Sequence, residues 1–169
     1  VFALHAEGGQ ACVQVFFYRG GRNYGNRAYY PSHVHDADAP ELLDAFLGQF
    51  YAERSPPKLI LLSHVPASQE LLGEALAVRA GRKVRLMRPQ RGEKRQLVEQ
   101  AEQNARHALA RKLAESSAQA RLLAQLADRL GLPEPPRRIE VYDNSHIMGT
   151  DALGAFIVAG PEGLNKSGY

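Results

Sequence analysis

A chain of 169 residues has room for one domain of ordinary size, or for one domain and a piece of another, and its 44% apolar share is that of a globular protein. The net charge of +3 is only mildly basic, so total charge argues weakly for a nucleic-acid partner and the distribution of charge has to say more. A single cysteine, Cys12, rules out an internal disulfide framework, and no apolar stretch approaches the roughly 20 residues that span a bilayer, so a cytoplasmic protein with no membrane partner is expected.

The chain opens at Val1 in what already reads as a strand and stops at Tyr169 with no terminating element, which predicts a piece of a longer protein. The first third reads as a three-stranded meander: Val1 to Ala6, Ala11 to Arg19, and about Asn23 to Tyr30, with Gly8-Gly9 and Gly20-Gly21 supplying the positive φ that tight hairpins need. A helix follows from about Pro40 to Glu53, where Leu42, Leu43, Phe46, Leu47 and Phe50 share a face, and Pro56-Pro57 stops it. Lys58 to Leu62 is a short continuous apolar strand of the doubly buried kind. Ala67 to Ala80 returns as helix before Gly81, and Lys83 to Met87 is an alternating strand. From Gly92 to about Leu130 the chain is alanine-rich and helical, with Leu97, Ala101, Ala105, Leu109 and Leu113 at four-residue steps and a possible break near Ser116-Ser117.

Three meandering strands followed by helix, strand, helix, strand and helix is the element order of the RNase H-like α/β fold. Gly131-Leu132-Pro133-Glu134-Pro135-Pro136 cannot continue a helix and favours an extended connector. The predicted organisation is an RNase H-like domain over 1–131, a proline-rich linker over 132–137, and the first strands of a second RNase H-like domain over 138–169.

In Ile139-Glu140-Val141-Tyr142-Asp143-Asn144-Ser145-His146, strand alternation puts Ile139, Val141 and Asp143 on one side and Glu140, Tyr142 and Asn144 on the other. Asp143 thus continues a row that looks buried, and a carboxylate leaving water needs protonation, hydrogen bonds or a cation. Spacing alone serves equally well for an Asx-type turn ending the strand.

That octapeptide, followed by Gly149 and the run Ala152 to Val158 and by Asn165-Lys166-Ser167-Gly168-Tyr169, resembles the opening of the nuclease domain of the UvrC family of excinucleases. Ala11 to Phe17 with Arg19-Gly20-Gly21, and Pro89 to Lys94 with Asn104-Ala105, resemble the family's central region, in the same order along the chain. The resemblance implies a parent protein that incises damaged DNA on both sides of a lesion, with the RNase H-like nuclease making the 5′ cut and an amino-terminal GIY-YIG nuclease the 3′ cut. It implies magnesium or manganese as cofactor and Asp143 as a metal-holding catalytic residue, with further acidic residues and a histidine beyond Tyr169. It implies, too, damaged duplex DNA held by UvrB, after loading by UvrA, as substrate. His146, inside the motif, is a candidate for steering Asp143 or approaching the phosphate; its bland alternative is a satisfied turn histidine. Ser145 reads as a capping hydroxyl.

The remaining candidates rest on the residues themselves. His33-Val34-His35-Asp36-Ala37-Asp38 looks superficially like a zinc cluster, but it lacks cysteines and a second ligand pair and joins a strand to a helix, where polar residues are ordinary. Gly20 to Gly25 has no strand-to-helix context and no lysine at phosphate-loop spacing, so a hairpin is the better reading. Arg79, Arg82, Lys83, Arg85, Arg88, Arg91, Lys94 and Arg95 crowd a region whose only acid is Glu93. Lys83 and Arg85 alternate with Val84 and Leu86, which predicts an exposed positive surface that contacts phosphates without reading sequence; a merely solvated rim is the alternative.

In the first domain His5 stands where the fold would place a first-strand acid, and Ser63-His64 end the buried strand where a second acid commonly sits. That domain is therefore expected to be non-catalytic, a scaffold or DNA-contact module. The hairpin from Val1 into Val15 echoes the layout of the one from Ile139 into Phe156, with His5 falling where Asp143 falls when each is counted from its strand's start, but the hairpins differ in length and make no repeat. Two rival readings stay open: a pure interaction module with the RNase H-like fold, and another RNase H-like nuclease of the Argonaute or transposase type.

Overall fold

The computed structural model describes residues 1–31, 38–147, 150–165 and 168, with only the backbone described at 145–147 and 150–153. They form two compact units, Val1–Ala110 and Arg111–Tyr169, which are taken separately.

In the first unit β1 (Phe2–Glu7), β2 (Gln10–Arg19) and β3 (Arg22–Tyr29) form an antiparallel meander, with Leu4 opposite Val13 and His5 opposite Cys12. Gly8 and Gly9 (φ 59° and 73°) and Gly20 and Gly21 (φ 53° and 76°) close the two hairpins, each with both central residues at positive φ. Helix α1 (Ala39–Phe50) starts on a capping box: the Asp38 carboxylate accepts from the Glu41 N–H at 2.9 Å while Glu41 accepts from the Asp38 N–H. Asp38 is the one residue of the supposed zinc cluster with a described place; the rest of that segment lies outside the described residues.

Strand β4 (Leu59–Leu61) pairs in parallel with β5 (Arg85–Met87), and helix α2 (Gln69–Ala80) makes the crossover between them. A parallel bridge from Phe2 to Leu62, with the Ser63 N–H donating to the Phe2 carbonyl at 3.0 Å, joins β4 to β1. The strands thus run in the order β3-β2-β1-β4-β5, three antiparallel and then parallel, which is the RNase H-like order.

Helix α1 buries Leu42, Leu43, Leu47 and Phe50 in one cluster with Phe2, Leu4, Val13 and Val15, and Phe2 meets Phe50 edge-on at 5.1 Å. Across the sheet, Ala3 and Phe16 pack with Ala101 of helix α3 (Glu93–Leu130). Two details of α3 depart from expectation. It runs through Ser116-Ser117 unbroken, because two serines among alanines and long side chains cost little helix propensity and neither glycine nor proline interrupts the segment. Its buried residues are Val98, Ala101, Ala105, Ala108, Leu109, Leu123 and Ala127, while Leu97 and Leu113 are only half-buried, since a strict four-residue step drifts about 40° per step around the helix.

In the second unit β6 (Ile139–Ile147), β7 (Thr150–Gly160) and β8 (Gly163–Leu164) repeat the antiparallel meander, Asp143 standing opposite Ala155 and Val141 opposite Ile157. The row expected to be buried is so only at its start: Ile139 is half-buried, but Val141 is 53% exposed and Asp143 is exposed, as is Ile157 opposite Val141 at 43%. Alternation sets which side chains share a face, but burial needs a second layer packed on it. At the far end a Cβ on Gly160 would stand 2.8 Å from the Arg137 carbonyl oxygen. Gly160→Ala must therefore push the linker off β7, at a cost of about 1–3 kcal/mol. Amide exchange at Asn165, whose N–H bonds the Val158 carbonyl, is expected to speed up while β1 to β3 keep their protection; unchanged exchange at Asn165 would refute the contact.

Candidate functional site

Asp143 lies at the middle of β6, exposed, on the face it shares with Val141. The opposite face is occupied by a closed polar network: the Tyr142 hydroxyl and the Arg138 Nε both donate to Glu140, and the Tyr142 ring stacks on Phe156 at 5.6 Å. These two hydrogen bonds, Tyr142 first, hold the Glu140 carboxyl below the ordinary carboxylate range, and the bond to Glu140 raises the Tyr142 hydroxyl. Glu140 is thus committed away from Asp143 and does not join it as a ligand. Beside Asp143, a Cβ on Gly154 would come 3.1 Å from Asn144 Oδ1, so the glycine leaves room for the amide.

The pairing of β6 with β7 slips between Ser145 and Ile147, which puts a strand irregularity at His146. Such bulges re-aim side chains and are common beside active sites. The side chains of Ser145 and His146 lie outside the described residues.

The donor chemistry of Asp143 suits a hard divalent cation, which prefers carboxylate oxygens. The described residues, however, bring no group of three or more His, Cys, Asp or Glu together, so they do not by themselves make a divalent-metal site.

The end of β4 in the first unit, where the fold commonly places a second acid, is built differently. Ser63, fully buried at the end of β4, accepts from the Leu4 N–H at 3.0 Å and bonds the His64 Nδ1 at 2.8 Å. Its hydroxyl extends the ladder between β1 and β4 where the backbone pairing has ended. Ser63→Ala leaves the Leu4 N–H unpaired in the core and is expected to cost about 1–3 kcal/mol in urea unfolding; no loss of stability would show that the bond is dispensable. His5 sits on β1 within 3.4 Å of Glu7.

His64 is partly buried, and its pKa is lowered from 6.5, first by desolvation and then by the Arg88 guanidinium, with Glu102 opposing. The unfolded chain then binds the proton more readily than the folded one, so His64 takes stability away as pH falls below about 6.5. His64→Gln is expected to flatten the acid-side decline in stability; an unchanged pH profile would contradict this.

The basic stretch is not uniform. Lys83 and Arg85 are exposed on either side of buried Val84, with Leu86 buried next, as alternation predicts, and Arg88, Arg91 and Lys94 are exposed too. Arg95 is taken up by its own helix, at 2.8 Å from Glu99 and 3.6 Å from Glu102. The i, i+4 spacing of Arg95 and Glu99 is a visible sign of that pairing. The Ser63 bond to Leu4 has no sequence signal, because it depends on how β4 docks beside β1.

A three-stranded antiparallel meander continued by two parallel strands, with helices on both faces, defines the first unit as RNase H-like. The family model of the UvrC ribonuclease H-like domain matches residues 1–112, and that of the UvrC RNase H endonuclease domain matches residues 127–169. The chain belongs to the UvrC family through both segments. It is 60% identical over its full length to the UvrABC system protein C of Mesorhizobium japonicum, of which it covers 25%. It is 60% identical to that of Nitrobacter hamburgensis and 59% identical to that of Brucella abortus, covering 24% and 28% of them. The chain therefore spans about a quarter of the length of these curated relatives. No solved structure matches it.

Proposed function

We propose that this chain serves, within a longer protein, the dual incision of damaged duplex DNA during nucleotide excision repair. The observation that carries the reading is the endonuclease-domain match over residues 127–169, which falls on the strand pair that presents Asp143 in the middle of β6. In this reading residues 138–169 open the nuclease domain that makes the 5′ incision, and residues 132–137 are its linker. Residues 1–131 form a non-catalytic RNase H-like module that contacts DNA through Lys83, Arg85, Arg88, Arg91 and Lys94, while Arg95 is held back by its acidic neighbours.

Magnesium or manganese is the proposed cofactor of the complete nuclease domain, where it would activate water for attack on the phosphodiester. Asp143 is proposed as one ligand and His146 as a catalytic neighbour. The proposed partners are UvrB on the lesion, loaded by UvrA, and the proposed setting is the cytoplasm; no described helix is long and apolar enough to cross a membrane.

The test is incision of a lesion-bearing duplex preloaded with UvrA and UvrB, with magnesium present. The complete protein is expected to cut on both sides of the lesion. The 169-residue chain alone is expected to cut neither, because one carboxylate does not hold the metal. Metal-dependent nicking by the pure chain, abolished by Asp143→Ala, would overturn the division of labour proposed here.

A further inference from the structure

The first unit carries a groove of about 1570 Å³ that neither the Asp143 strand nor the Ser63 region uses. It lies where β1 and β4 begin and β2 ends, and it is walled by the end of α1 and the start of α3. Its charged lining is Arg19, Arg54, Arg82 and Lys94 against the single acid Glu93. Its aromatic lining includes Phe17, 39% exposed, and Tyr24, 64% exposed.

Those two rings are not loose surface residues. Pairing of β2 with β3 runs from Phe16 opposite Asn26 to Tyr18 opposite Asn23, so Tyr24 and Gly25 share the place of one residue in a bulge facing Phe17. Gly25 takes φ 105°, a conformation other residues rarely adopt, and its N–H donates to Asn23 Oδ1 at 2.8 Å. The Arg19 guanidinium lies over the Tyr24 ring, 5.9 Å from its centroid, and that of Arg54 over Phe50 at 4.5 Å. Arg82 is fixed by donating to the Pro56 carbonyl at 3.0 Å.

We propose that this groove binds an unpaired DNA strand, its bases stacking on Phe17 and Tyr24 and its phosphates running past Arg19, Arg54, Arg82 and Lys94. Partly exposed aromatic rings interleaved with cations are what single-strand binding requires, since every base has a stacking face and every linkage a charge. A duplex offers no free base faces, so the rings have nothing to do in duplex binding. The proposal rests on the nucleic-acid reading above and adds the strand state that the groove selects.

The experiment measures binding of a fluorescent twelve-nucleotide oligothymidylate, an abasic analogue of equal length, and a short duplex to the 169-residue chain. Phe17→Ala with Tyr24→Ala is expected to weaken the oligothymidylate tenfold or more and to leave the duplex unchanged, and the abasic strand is expected to bind the unaltered chain as weakly as the variant binds thymidylate. Lys83→Ala with Arg85→Ala is expected to weaken the duplex, so failure of the groove and failure of the duplex surface read separately. Because the chain has no tryptophan, Phe17→Trp supplies a second readout that survives if the double variant misfolds: its emission is expected to be quenched as the oligonucleotide saturates. Equal binding of abasic and thymidylate strands, or tryptophan emission unmoved at saturation, would overturn the proposal; the first would mean a purely electrostatic surface, and capture of an apolar peptide by the groove with no binding of the oligonucleotide would mean a protein-docking site.

Discussion

Asp143→Ala in the complete protein is expected to abolish the 5′ incision and spare the 3′ one. The loss should exceed the roughly 10–100-fold that even the outer partners of metal ligands command, because a ligand carboxylate is removed outright. The 3′ cut should survive because, in the proposed division of labour, a separate nuclease makes it. Strand-resolved gels with label on either side of the lesion separate the two products. Equal loss of both cuts would assign Asp143 a structural role.

Replacing Lys83, Arg85 and Arg88 together by alanine should weaken binding to any duplex and flatten its salt dependence. Each phosphate contact adds roughly 0.9 to the slope of log affinity against log salt, so three contacts remove about 2.7. Folding stability should change little, since all three side chains are exposed and surface substitutions of this kind stay within about 0.5 kcal/mol each. An unchanged slope with unchanged affinity would reduce the cluster to a solvated rim. Arg95 is left out of the variant on purpose: with Glu99 and Glu102 on its guanidinium, its loss would disturb helix α3 as well as any phosphate contact.

Local chemistry makes much of the fold legible in the sequence. Paired glycines at 8–9 and 20–21 mark hairpins because few other residues take positive φ twice in succession, and both hairpins form there. The apolar set on α1 and the alternation of Lys83, Val84, Arg85 and Leu86 depend on periodicity alone, and both hold. What periodicity does not carry is the presence of a covering layer. Asp143 shares a face with Val141 and Ile157 as the alternation says, yet all three are exposed. The Ser63 bond to Leu4 joins residues 59 positions apart and depends on strand docking, so no local pattern announces it. The groove belongs to the same class, since Phe17, Tyr24, Arg54 and Lys94 meet only after the sheet and helices assemble.

Of the two strands that open the meanders, β1 with His5 and β6 with Asp143, only the second is assigned metal chemistry. Imidazole and hydroxyl donors at His5, Ser63 and His64 suit hard cations poorly, whereas the Asp143 carboxylate suits them well. The direct measurement is anomalous diffraction from crystals of the complete protein soaked in millimolar manganese. A peak beside Asp143, and none between His5 and the Ser63-His64 end of β4, is the predicted result; manganese seated between His5 and Ser63, or a complete nuclease domain with no manganese at Asp143, would contradict it.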